Sequence, residues 1–131
     1  MPTVTGILET ALYVDDLARS AAFYESLFGF VRLVASDRLI ALAVRDGQVL
    51  LLFRKKASLH LSPGAHDGDG QLHLAFAIAE ADVEAWRERL RTHSIPIVDD
   101  RSRECGGHSL FFRDPDDHLI ELGSPGIWAN Y

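Results

Sequence analysis

Three segments of this sequence each carry one group able to hold a metal ion among apolar neighbours: Glu9 in ILETALYV, His73 in LHLAFAI and Glu121 in HLIEL. If each segment is a strand, its side chains alternate between two faces. Leu72, Leu74, Phe76 and Ile78 then form an apolar set, and His73, Ala75 and Ala77 face the other way into a cavity. Leu8, Thr10, Leu12 and Val14 leave Glu9, Ala11 and Tyr13 on the cavity face, and Ile120 and Leu122 leave Leu119, Glu121 and Gly123 there. A buried, unpaired carboxylate is costly, so Glu9 and Glu121 each call for a compensating partner. A divalent cation bound by both, with His73 as third ligand, meets that need; arginine side chains or water in an open groove would meet it as well. The catalytic candidates are Glu9, which is a buried general base in a metal-free reading, Tyr13 as a hydrogen-bond donor on the cavity wall, and His108 at the cavity mouth.

The elements that must position these groups are legible from periodicity. Ile7 to Val14 reads as a strand, and Asp15-Asp16 caps a helix on which Leu17, Ala21, Tyr24, Leu27 and Phe28 recur at helical spacing until Gly29 stops it. Strands at Val31 to Val34, Leu39 to Val44 and Val49 to Phe53 follow, the last two joined by a tight Asp46-Gly47 turn. The turn-rich stretch 55–71 is a linker. Beyond it the order repeats: a strand at Leu72 to Ile78, a helix with Val83, Trp86 and Leu90 on one face, and strands at Ile95 to Val98, His108 to Arg113 and His118 to Leu122. The expected fold is α+β, one domain over 1–131 made of two βαβββ modules (7–54 and 72–122) with a tail at 123–131. The modules form a curved, half-open mixed sheet around a concave site.

Bulk composition narrows the partners. A chain of 131 residues that is 47% hydrophobic suits one core, and 19 acidic against 13 basic residues, a net charge of −6, argue against nucleic acid. A lone Cys105 forms no internal disulfide. No apolar run approaches a membrane span, so no membrane partner is expected, and the chain reads as soluble and cytoplasmic.

The stretches LETALYVDDLARSAAFYESLFGF, LHLAFAI and above all RDPDDHLIEL resemble the vicinal oxygen chelate superfamily, which includes glyoxalase I, extradiol dioxygenases, fosfomycin-resistance enzymes and bleomycin-resistance proteins. The resemblance covers nearly the whole chain. It implies metal ligands at Glu9, His73 and Glu121, a small-molecule substrate bound through neighbouring oxygens, and a homodimer. The fourth ligand of the glyoxalase I arrangement corresponds to Leu51, which is apolar and argues against glutathione-dependent glyoxalase chemistry. Glu in place of the common first-strand His departs from the two-His-one-carboxylate set of Fe(II) dioxygenases, which favours Mn²⁺, Ni²⁺, Zn²⁺ or Mg²⁺ over iron. The leading expectation is a metal-dependent lyase, isomerase or dioxygenase-like enzyme. The alternative is a metal-free binding protein of the bleomycin-resistance type, whose acidic groove would attract a cationic aromatic drug.

Other reactive residues are read as structural. Cys105 is a loop thiol, His118 belongs to a hairpin turn, and His60, His66 and His93 fall in loops or at a helix end; Trp128 and Tyr131 in the tail are able to close over the pocket or pack on a dimer partner, and simple packing is the reading adopted.

Overall fold

The computed structural model describes residues 1–131, which divide into two compact units, Met1–Asp69 and Gly70–Tyr131. The first contains β1 (Glu9–Val14), α1 (Leu17–Phe28), β2 (Val31–Ala35), β3 (Leu39–Arg45) and β4 (Gln48–Arg54). The second contains β5 (His73–Ala77), a short 3₁₀ turn (Glu80–Asp82), α2 (Val83–Thr92), β6 (Ile97–Ser102), β7 (His108–Arg113) and β8 (Leu119–Gly123). No helix is long and apolar enough to cross a membrane.

The duplication holds down to hydrogen-bond register. Each unit has one four-stranded sheet, ordered β1-β4-β3-β2 and β5-β8-β7-β6, in which the first strand pairs parallel with the fourth and the hairpins are antiparallel. Glu9 pairs with Val49 and Ala11 with Leu51; likewise His73 pairs with Leu119 and Ala75 with Glu121. Glu9 and His73 are therefore equivalent positions, as are Leu51 and Glu121.

Local chemistry accounts for the boundaries. Asp16 caps α1 by accepting from the Arg19 backbone N–H at 3.0 Å, and Gly29 ends it in the left-handed conformation, φ 74°. Ala21, Tyr24 and Leu27 on the inner face of α1 are fully buried, and α1 packs on β3 and β4, where Leu42, Leu50 and Leu52 are buried too. In the second unit Leu90, Leu110, Phe112, Ile120 and Leu122 are fully buried. β6 starts two residues later than the expected Ile95, because the Ile95 N–H is spent on the Leu90 carbonyl at 2.9 Å where the chain leaves α2. It then runs on to Ser102, which pairs with His108.

Candidate metal-binding site

His73 and Glu121 meet on one face of the second sheet. β5 and β8 lie side by side, so the two side chains, each on its strand's cavity face, approach to 3.5 Å between Nε2 and Oε2. The His73 ring is oriented by its other nitrogen, which lies 2.8 Å from the Leu119 carbonyl. A carbonyl only accepts, so Nδ1 carries the proton and neutral His73 presents a bare lone pair at Nε2. Two facing lone pairs repel unless a proton or cation stands between them, and a bare Nε2 oriented by a backbone carbonyl is the usual preparation of a metal-ligating histidine.

Glu121 is buried, 5% exposed, and its other oxygen is held firmly. The Ser109 hydroxyl donates to Oε1 at 2.6 Å, and Arg103 in turn donates from Nε to Ser109 Oγ at 3.0 Å, with its Nη2 3.6 Å from Oε1. One carboxylate oxygen is thus committed to protein partners and Oε2 is left for His73 and an ion. Arg101 and Arg103 both stand over the Phe111 ring, at 5.9 and 5.7 Å from its centroid, and His73 stacks near the same ring at 6.3 Å. Arg101 also pairs with Asp99.

Beside this pair lies a cavity of about 560 Å³ lined by Arg101, Arg103, Cys105, Glu121, Ile127 and Trp128, among others. The turn that brings Arg103 there depends on Gly107, which has φ 75° and whose added Cβ would come within 2.8 Å of the Ser124 and Pro125 carbonyls. Cys105 is an exposed loop thiol as expected, but it lines the cavity, its Sγ 3.5 Å from the Ile127 carbonyl.

Several expectations need correction. Glu9 is the first residue of β1 and exposed, so it lacks the burial on which its role as a metal-free general base relied. Neither unit by itself gathers three or more His, Cys, Asp or Glu groups suited to a metal ion. His108 does not stand at the cavity mouth. Ser109 and Phe111 occupy the cavity face of β7, so His108 turns to the opposite face, where Nε2 lies 2.5 Å from Asp100 Oδ1 and 3.1 Å from Arg87 Nη2 of α2. That ion-paired cluster holds the Asp100 carboxyl at about 2, chiefly through the Arg87 guanidinium and then through His108, against the opposing effect of burial; Arg87 is held above its ordinary value by Asp100 and Glu84.

Tyr13 lies on the same face of β1 as Glu9, and the linker folds over it. Its ring stacks on Phe53 at 5.6 Å, its hydroxyl lies 2.7 Å from His66 Nδ1, and Gly68 presses so close that a Cβ there would meet the ring at 2.4 Å. His118, expected in a hairpin turn, is fully buried at its end, with Nδ1 accepting from the Leu72 backbone N–H at 2.9 Å. Trp128 is not packed away but 70% exposed. Arg101, Arg103, Ser109 and Phe111 escaped sequence reasoning. The run HSLFFR has apolar residues on both faces, so alternation alone does not bring Ser109 and Phe111 to the cavity, and nothing local marks Arg103 as a partner of Glu121.

Comparison with known proteins agrees with this architecture. The chain is 27% identical over 126 residues to metallothiol transferase FosB of Bacillus licheniformis, covering 95% of this chain and 79% of that protein. It is 32% identical over 111 residues to glutathione transferase FosA of Serratia marcescens, covering 85% and 74%. The crystal structure of lactoylglutathione lyase from Agrobacterium tumefaciens matches 98% of this chain and 99% of its own, with a TM-score of 0.91 and 30% identity. Residues 6–122 match the family model, and the chain belongs to the Glyoxalase/Bleomycin resistance protein/Dioxygenase superfamily.

Proposed function

We propose that this protein is a divalent-metal-dependent enzyme acting on a small, oxygen-bearing anion. The observation that carries this reading is the facing pair of His73 Nε2 and Glu121 Oε2, each oriented by a second contact and separated by 3.5 Å. We take Glu9 as the third ligand because it matches the family's first-strand ligand position and is the register equivalent of His73. One imidazole and two carboxylates form a hard donor set that favours Mn²⁺, Mg²⁺, Ni²⁺ or Zn²⁺ over iron. Such an ion supplies Lewis-acid polarisation of a chelated substrate and stabilises negative charge on its oxygens.

The chain's own residues supply the rest. Arg101 and Arg103 offset the carboxylates of Glu104 and Glu121 in the cavity lining, so that with a divalent ion bound the site is net positive and favours an anionic substrate over the cationic drug of the binding-protein alternative. Ser109 keeps Glu121 pointed. Thiol transfer, the reaction named for the FosB and FosA relatives, is the reaction class we favour. Lyase chemistry of the four-ligand kind is disfavoured by Leu51 at the position equivalent to Glu121.

The homodimer belongs to the same reading. β2 is an edge strand on which Val31, Leu33 and Val34 are each more than half exposed, and an apolar edge of this kind is ordinarily covered by association. Light scattering showing only a 14.5 kDa species at micromolar concentration would count against it.

The test of metal dependence is titration of chelator-stripped protein with Mn²⁺. Wild type should bind and gain thermal stability, and His73→Ala should do neither. Affinity should also fall between neutral and mildly acidic solution, because a proton on Nε2 competes with the ion. A wild type that neither binds Mn²⁺, Ni²⁺ or Zn²⁺ nor is stabilised by them would overturn the reading.

A further inference from the structure

At one equivalent pair of positions the two units differ sharply in side-chain volume. Four residues beyond Glu9, Tyr13 pairs with Phe53; four residues beyond His73, Ala77 pairs with Gly123. In the first unit the two rings stack at 5.6 Å and the linker closes over them through His66 and Gly68. In the second unit the same place holds a methyl group and a glycine, and what remains is a second cavity of about 200 Å³ lined by Ala75, Ala77, Gly123, Ile127, Trp128 and Tyr131.

The C-terminal tail builds its wall. The Tyr131 hydroxyl donates to the Gly123 carbonyl at 3.0 Å and lies 3.2 Å from the Ile78 carbonyl, so the tail is tied to β8 and to the end of β5. Ile127 sits so close to β8 that a Cβ on Gly123 would meet its Cδ1 at 2.6 Å. The same Cβ position lies 3.7 Å from Glu121 Oε1, and Ile127 and Trp128 line both cavities. The small cavity therefore opens beside the carboxylate and continues the larger one, but no ionisable side chain lines it apart from the pinned Tyr131 phenol.

We infer that this cavity is an apolar subsite that takes the carbon arm of the substrate, with Trp128 as its aromatic rim and Ala77 setting its depth. The inference rests on the metal-dependent reading above, in which the oxygenated head of the same molecule reaches His73 and Glu121. It specifies the substrate class as an anion carrying a compact apolar or aromatic group, since concave apolar walls reward burial of such a group and polar neighbours orient the head. Trp128 is 70% exposed at this rim, where an apolar arm would cover it and gain contact area.

The experiment compares phenylphosphonate with inorganic phosphate, titrated by calorimetry and by tryptophan emission into Mn²⁺-loaded wild type, Ala77→Phe and Trp128→Ala. Ala77 is exposed and Phe suits a strand, so Ala77→Phe places in the second unit what Tyr13 is in the first. Trp128→Ala removes a side chain that is mostly in solvent. Wild type should bind phenylphosphonate at least tenfold more tightly than phosphate, with a blue shift of emission. Ala77→Phe should cut that preference below threefold while leaving phosphate and Mn²⁺ affinity unchanged, and Trp128→Ala should weaken phenylphosphonate alone. Equal affinity of wild type for the two anions, or a preference that survives in both variants, overturns the inference. If wild type binds neither Mn²⁺ nor phosphate, the metal reading has failed by itself and neutral benzyl alcohol reads the subsite: binding lost in Ala77→Phe upholds the cavity, and no binding to wild type overturns it.

Discussion

Leu51 and Glu121 occupy the same register position in two copies of one sheet, Leu51 paired with Ala11 and Glu121 with Ala75. In the second unit the position is a buried carboxylate held by Ser109; in the first it is an aliphatic side chain. Glu121→Gln should lower Mn²⁺ affinity tenfold or more with the fold intact, because the amide keeps the shape and loses the charge. Leu51→Met should leave it within threefold. Calorimetric titration of stripped protein separates the two.

Ser109 should matter to the metal without touching it. Ser109→Ala removes the donor to Glu121 Oε1 and leaves a buried carboxylate under-satisfied, at a cost of about 1–3 kcal/mol in stability. It should also lower Mn²⁺ affinity about tenfold, the usual effect of losing a hydrogen bond that orients a ligand. Unchanged metal affinity in a folded Ser109→Ala variant would show that Glu121 needs no such orientation.

The Asp100 cluster makes stability depend on acid. Its carboxyl is depressed to about 2 from an ordinary 3.8, so its contribution is fully present above about 3.8 and is lost as pH falls through about 2. The side chain is 34% exposed, and after allowance for solvent screening the contribution is about 1 kcal/mol. Urea unfolding at neutral pH and near pH 2 should show wild type losing its advantage over Asp100→Asn. An Asp100→Asn difference that stays constant over that range would contradict the assignment.

Tyr13 is held by its neighbours as a packing residue. Tyr13→Phe should cost about 1 kcal/mol through the lost contact with His66. Gly68→Ala should destabilise by about 1–3 kcal/mol, since the new methyl group overlaps the Tyr13 ring and the loop must lift. Both are read by thermal unfolding, and a Gly68→Ala variant as stable as wild type would mean that the linker does not rest on Tyr13.

Much of this was legible in the chain because its signals are local. Asp16 and Gly29 bound a helix by capping chemistry, the Asp46-Gly47 turn and the apolar runs around it mark a hairpin, and alternation puts His73 and Glu121 on the cavity faces of their strands. The duplication and the family resemblance follow from the same patterns. The tertiary structure decided what depends on pairing between distant segments. His108 begins the run HSLFFR, whose apolar residues fall on both faces, so alternation could not say which face met the cavity; the pairing of Phe111 with Glu121 does. Arg103 reaches Ser109 only because Gly106 and Gly107 turn the chain back, and Tyr13 is covered only because the linker folds onto it. The exposure of Glu9 follows from where its strand begins. Periodicity is written in neighbouring residues, whereas register, burial and long-range hydrogen bonds are set by how whole elements pack, and so the residues that orient Glu121 and the cavity beside Ala77 emerged only from the folded chain.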